Sequence, residues 1–235
     1  MKGSTHFPVV KSTPNTIGAL LEGFCTNAQQ HTTIIACCRR SRFFEQLALH
    51  ALPSTEVLEE PGSQQPRPDM DGPPVGDAEE PVASSKHASP PLLQPTLRLL
   101  ATSLNTNIVF CSSIPSFRAY VSTLPLRSTG SPNTLSQVII VDMLALHHGT
   151  SEFTIQGLSR TFAMLASVNN QLGGEMQLVE CNDFHDPIDP QRGSRLWGAE
   201  VPLLSGSVKI GEAGQGWASR TTSIRSFAER WFQFE

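Results

Sequence analysis

Apolar positions recur along this chain with two different periods. "HTTIIACC" (His31–Cys38), "NTNIVFCSS" (Asn105–Ser113), "QVIIVDMLAL" (Gln137–Leu146) and "EMQLVEC" (Glu175–Cys181) are short, nearly continuous apolar runs. That is the pattern of strands buried on both faces. Between them the period lengthens to that of a helix. "IQGLSRTFAMLASVNNQL" places Ile155, Leu158, Phe162, Leu165 and Leu172 in one stripe, and Gly173-Gly174 stops it. "RRSRFFEQLALHAL" is expected to set Phe43, Phe44, Leu47 and Leu52 near one face. "PTLRLLATSL" and "IPSFRAYVSTL" complete the helices around the second strand, and "STPNTIGALLEGFCTNAQQ" precedes the first, with Thr13 as N-cap and Pro14 at the first helical position.

Strands alternating with helices predict an α/β protein whose mostly parallel sheet is flanked by helices on both faces. The tail departs from the pattern. "AEVPLLSGSVKI", "GEAGQGWAS" and "RTTSIRSFAERWFQFE" lack a helical period and are expected to form a C-terminal antiparallel β-hairpin around a Gly-rich turn.

Composition changes this picture at one place. Residues 53–90 are rich in Pro, Gly, Ser and acids, and almost devoid of large apolar side chains. Such a segment cannot bury enough surface to offset its ordering entropy, so a disordered acidic Pro-rich insert is expected there. Residues 1–52 are too few for a stable core, so they and residues 91–235 are expected to pack as one domain. Hydrophobic residues make up 39 % of the 235, which suffices for that core once the insert is set aside.

The insert also hides the charge of the rest. Pro53–Pro95 holds eight acids against Arg67 and Lys86, so the net −4 of the chain becomes +2 outside it. A mildly basic body permits nucleic-acid binding without requiring it. The N-terminus has no signal-peptide pattern, and no apolar run approaches the ~20 residues of a membrane span. Five cysteines without a C-x-x-C pair fit reduced thiols acting as small hydrophobes. A soluble intracellular protein with no membrane contact is the expectation.

The strand ending in Asp142 poses a chemical question, because in a nucleotide hydrolase such an aspartate holds magnesium. A phosphate loop of the form G-x-x-x-x-G-K-[ST] would have to accompany it. Lys11-Ser12 has the final two residues, but Val10 and Pro8 stand where glycines are needed. The Gly-rich stretch Gly206–Gly216 has its lysine, Lys209, followed by Ile210. Asp142 is therefore expected to serve the scaffold.

His147, His148 and Glu152, and the group Cys181, Asp183, His185, Asp186 and Asp189, lack a metal-binding spacing and are expected as solvated loop polars. No nucleophile elbow or catalytic carboxylate pair stands out. Basic residues are more informative. Arg192 and Arg195 follow "EMQLVEC", while Lys209, Arg220 and Arg225 lie in the tail. Loops beyond the carboxyl ends of parallel strands are where such sheets bind ligands, so a polyanion site is one reading and scattered surface charge the other.

From Gln137 to Glu235 the layout resembles the ATPase core of RecA-type recombinases and their paralogues. "VIIVDMLAL" is similar to the Walker B strand, "HHGTSEFTIQGLSRTFAMLASVNNQL" to the following loop and helix, and "NDFHDPIDPQRGSRLWG" takes the place of the second DNA-facing loop. "TTSIRSFAERWFQFE" resembles the terminal strands. Two departures are plain: the phosphate loop is missing, and Cys181 ends a strand without the nucleotide-sensing Asn or Gln.

The resemblance implies a non-enzymatic, nuclear RecA-like subunit of a DNA-repair and homologous-recombination mediator, similar to the small subunits of Shu-type complexes. It would need no cofactor or metal and would bind a RecA-like paralogue, as a heterodimer or in a larger complex. Its other partner would be DNA, single-stranded in the family. An accessory subunit of the Elongator type, acting in tRNA modification, is the alternative, and a hydrolase using the Asp/His-rich loops is a third. The nucleic-acid site implied is Arg192, Arg195 and Trp197, with Lys209 and Arg220. Trp197 would stack on a base unless it anchors the core. The partner surface is expected at "ERWFQFE" or at Leu20, Leu21 and Phe24.

Overall fold

The computed structural model describes residues 7–11, 16–25, 31–52, 96–128, 137–173, 175–203 and 221–235. Six strands form one wholly parallel sheet: β1 (Val9–Lys11), β2 (Thr32–Ala36), β3 (Thr106–Phe110), β4 (Gln137–Val141), β5 (Glu175–Val179) and β8 (Gln233–Phe234). Their order across the sheet is β3-β2-β4-β5-β1-β8. A separate antiparallel pair joins β6 (Glu200–Pro202) to β7 (Thr221–Ser223). This is the expected α/β class, a helix-flanked parallel sheet with an antiparallel C-terminal pair, and it is consistent with a RecA-like layout.

The two-residue period of the strands divides the core into two layers. Val10, Ile35, Ile140 and Leu178 point to one face, where α4 (Ile114–Ser128), α6 (Ile155–Leu172) and α7 (Ile224–Ala228) cover them. Ile34, Ile139, Val141 and Val179 point to the other, under α1 (Ile17–Cys25) and α2 (Arg40–Ala51). Registers such as Ile35↔Ile140 and Ile140↔Leu178 align the apolar rows across β2, β4 and β5. Phe162 on α6 has no exposed surface and centres an aromatic cluster with Trp197, Phe227, Trp231 and Phe232. Truncating a ring buried like this to Ala costs about 3–5 kcal/mol.

Local signals explain the boundaries. Thr154 caps α6 by accepting the Gly157 N–H at 3.2 Å, and Gly173 closes it at φ 61°, a conformation that glycine adopts without a Cβ clash. At the start of α1 the cap is Thr16, whose hydroxyl accepts the Ala19 N–H; Thr13 and Pro14 lie outside the described residues. Short helices complete the chain: α3 (Leu97–Leu104) leads into β3, α5 (Met143–His147) leaves β4, and a 3-10 turn spans Gly193–Gly198.

Three expectations need correction. A strand, β1, forms inside "FPVVKS" ahead of the first predicted helix, where none was anticipated. The last segment is not antiparallel throughout: after β7 it forms α7 and then β8, which adds in parallel to β1. On α2 the buried residues are Phe43 and Gln46, whereas Phe44 and Leu52 are 46 % and 61 % exposed. Gln46 displaces apolar residues from the inward face because it grips the loop after β5, as described below. The expected insert at 53–90 lies outside the described residues.

The two expected partner surfaces are divided between core and partly buried positions. Leu20 and Phe232 are 3 % exposed, and Leu21, Phe24, Trp231 and Phe234 pack against the two clusters.

Candidate ligand site at the carboxyl edge of the sheet

The sheet order sets β2 beside β4, and the chain leaves these two strands in opposite directions. After β2 and α2 the next strand, β3, lies on one side of β2, and after β4 the chain passes through α5 and α6 to β5 on the other side of β4. The crevice beyond such a reversal is where open α/β sheets hold ligands. A cavity of about 620 Å3 lies there, walled by Cys37–Arg39, the first turns of α2, Ala145-Leu146 on α5, and Asp183, His185 and Arg192 of the loop after β5.

Asp142 ends β4 in the left-handed region, at φ 60° and ψ 37°, which turns its carboxylate inward. Oδ1 accepts the Cys181 N–H at 2.8 Å and Oδ2 accepts Arg192 Nη1 at 3.1 Å, with 1 % of the aspartate side chain and 12 % of the arginine exposed. The next carboxylate, Glu180, accepts the Leu144 N–H at 2.6 Å and the Ala145 N–H at 3.3 Å, stapling the end of β5 to the start of α5. Burial raises the pKa of Asp142 against the pull of Arg192, and burial reinforced by Asp142 pushes Glu180 well above the carboxylate range.

Thiols crowd the same edge. Burial raises Cys37 and Cys181 well above the usual thiol value, and it pushes Cys38 to about 11, which disfavours the nucleophilic thiolate at all three.

The loop after β5 is held at both ends. Asp183 accepts from Arg42 Nη2 at 2.6 Å, from Gln46 Nε2 at 2.9 Å and from the His185 N–H at 3.0 Å, while Gln46 Oε1 accepts the Phe184 N–H. Burial would raise the pKa of Asp183, but these donors outweigh it and hold the carboxyl below its ordinary value. Asp186 and Asp189 each cap a tight turn, accepting from the Ile188 and Gln191 N–H groups.

The expected nucleic-acid residues therefore part company. Arg192 lines the cavity but is tied to Asp142. Arg195 is exposed and donates to the Ile188 carbonyl. Trp197 does not offer a face to a base: it is 5 % exposed, stacked on Phe162 and edge-on to Phe234. Lys209 and Arg220 lie outside the described residues. Arg225 pairs with Glu229 and lies over Phe234.

Of the other candidate ligands, His185 and Asp186 are exposed as expected, His148 and Glu152 are partly exposed, and His147 is buried. His147 is buried between the Met143 carbonyl and the Thr161 hydroxyl, and burial lowers its pKa. His148 packs edge-on against Phe153, and Glu152 binds Arg118, which also reaches Thr161 and the Gly157 carbonyl. No group of three or more metal-ligating side chains occurs among the described residues, and no described helix is long and apolar enough to cross a membrane.

Arg39, Arg42, Gln46 and Glu180 escaped the sequence reading. "CCRRSR" carried a usable signal for two of them, since three arginines directly follow a predicted strand. An acid in the apolar run "QLVEC" marked Glu180. Nothing in the local pattern marked Gln46.

Fold and site together define a helix-flanked parallel-sheet protein with a polar cavity at its carboxyl edge. Set against family models, curated proteins and solved structures, the chain matches none.

Proposed function

We propose that this chain is a non-catalytic RecA-like subunit that binds a RecA-like paralogue and DNA in the nucleus, in support of homologous recombination. The observation that carries the non-catalytic part is the state of Asp142. The carboxylate that would hold magnesium in a nucleotide hydrolase is buried and accepts from an arginine and a backbone amide of its own chain. Releasing it to a metal would strand Arg192 and undo the loop that Arg192 holds. A sheet whose Walker B-like strand is closed in this way serves as a platform. The DNA and partner elements rest on the resemblance of layout and on the mildly basic body of the chain.

Two measurements test the reading. ATP binding and turnover by the purified chain should not exceed those of a mock purification, and clear turnover overturns the scaffold role. Affinity purification with mass spectrometry should return a stoichiometric RecA-like paralogue, and the complex should bind single-stranded DNA with an affinity that falls steeply with salt. Recovery of Elongator components with tRNA preference would transfer the chain to the alternative class.

A further inference from the structure

The cavity has an excess of unused hydrogen-bond donors on its inner wall. Arg39 and Arg42 line it from the start of α2 and Arg192 from the loop after β5, against two carboxylates, Glu45 and Asp183. One of the carboxylates is already engaged: Asp183 takes three donors from the protein, while Glu45 is more than half exposed, with His185 as its nearest basic neighbour at 3.7 Å. The guanidiniums are not saturated. Each has five N–H groups; Arg42 gives Nη2 to Asp183 and Arg192 gives Nη1 to Asp142, while Arg39 is exposed and makes no ion pair among the described residues. Beside Arg39, α2 begins without a side-chain cap, and Ser41 of its first turn also lines the cavity. The space matches a ligand of nucleotide size rather than a bare ion.

We propose that this cavity binds a phosphate monoester, and that the group it takes is the terminal 5′-phosphate of a nucleic-acid strand. A tetrahedral dianion offers several acceptors to planar, forked donors, which is the pairing that arginines on separate segments satisfy best. The choice of a strand end over a free phosphate ester rests on the DNA-binding function proposed above; the cavity itself does not depend on it. Arg39 is the residue that distinguishes this site from a merely structural cluster, because its side chain is exposed and makes no ion pair or hydrogen bond among the described residues.

The test compares a 5′-phosphorylated single strand, the same strand with a 5′-hydroxyl, and inorganic phosphate, using wild type and Arg39→Gln, with the unfolding midpoint confirming that the variant is folded. The phosphorylated strand should bind about tenfold tighter, the worth of one charge-assisted hydrogen bond, and Arg39→Gln should erase that difference. Inorganic phosphate should compete for the gain alone. If phosphate stabilises wild type but not Arg39→Gln, while the two strands bind alike, the cavity stands and its ligand is a free phosphate ester. If both strands bind alike and phosphate has no effect, the proposal fails while DNA binding survives. If neither strand binds but phosphate does, the DNA reading fails and the cavity stands. Phosphate effects that persist unchanged in Arg39→Gln overturn the site.

Discussion

Replacing Arg192 with Met should destabilise the protein by about 3–5 kcal/mol near pH 8, the cost of breaking a buried ion pair by removing one member. The size follows from the geometry. Asp142 would keep the Cys181 N–H as a donor, but its second oxygen would be left without a partner in a site where 1 % of the side chain is exposed. Met fills a similar volume, so the loss reports the stranded charge more than a cavity. The double variant Asp142→Asn/Arg192→Met should recover most of it. Asn carries no charge, can accept the same N–H, and tolerates the left-handed backbone at φ 60°. The pH dependence has a definite sign. Burial already raises the folded pKa of Asp142, and losing Arg192 raises it further. Stability is then fullest where the carboxyl is protonated in both states and falls as pH rises through the folded value, so the deficit of Arg192→Met should shrink toward acid. Urea unfolding at pH 5 and pH 8 measures it, and in a thermal melt the loss corresponds to roughly 6–20 °C for a domain of this size. An Arg192→Met protein within 1 kcal/mol of wild type at both pH values, or a double variant no better than the single, would refute the account of Asp142.

Other outcomes are open to simpler measurements. His147 is held neutral by burial, so wild type should lose stability as pH falls below the ordinary histidine value of about 6.5, and His147→Gln should flatten that slope in an acid titration followed by circular dichroism. Trp197→Ala should cost about 3–5 kcal/mol in chemical unfolding, because the ring is core; a near-neutral change would return it to the list of exposed ligands. Replacing residues 54–89 with a short Gly/Ser linker should leave unfolding cooperative with its midpoint nearly unchanged, since loop length is a weak entropic term. Loss of the cooperative transition would show that the segment packs.

Legibility in the sequence followed the length of the element. β2 to β5 span five residues each with a mainly apolar sequence, and α6 carries five turns, so their periods stand clear of noise. β1 has three residues and β8 two, too few for any period, and both take their conformation from the strands beside them. Phe44 and Gln46 exchanged the roles their hydropathy predicts because Gln46 holds Asp183 and Phe184 from a loop 137 residues away in sequence. The expected site was dispersed for a related reason. Arg192, Arg195 and Trp197 were grouped by proximity along the chain, but the 3-10 turn sends Trp197 into the aromatic core while Arg192 turns back to Asp142. The residues that complete the cavity, Arg39 and Arg42, come from the far side of the insert.

The position of β1 has a consequence for how the protein is made. Its neighbours in the sheet are β5 and β8, so Val9 waits for Gln177 and Gln233 before either side of the strand is paired. At ribosomal speeds of roughly 5–20 residues per second, β1 stays without its sheet partners during synthesis for on the order of ten seconds or more. For that interval α1 has only part of the surface it will finally cover. The protein should therefore depend on chaperones during synthesis more than its length alone would require, and slow translation late in the message should raise the fraction that aggregates.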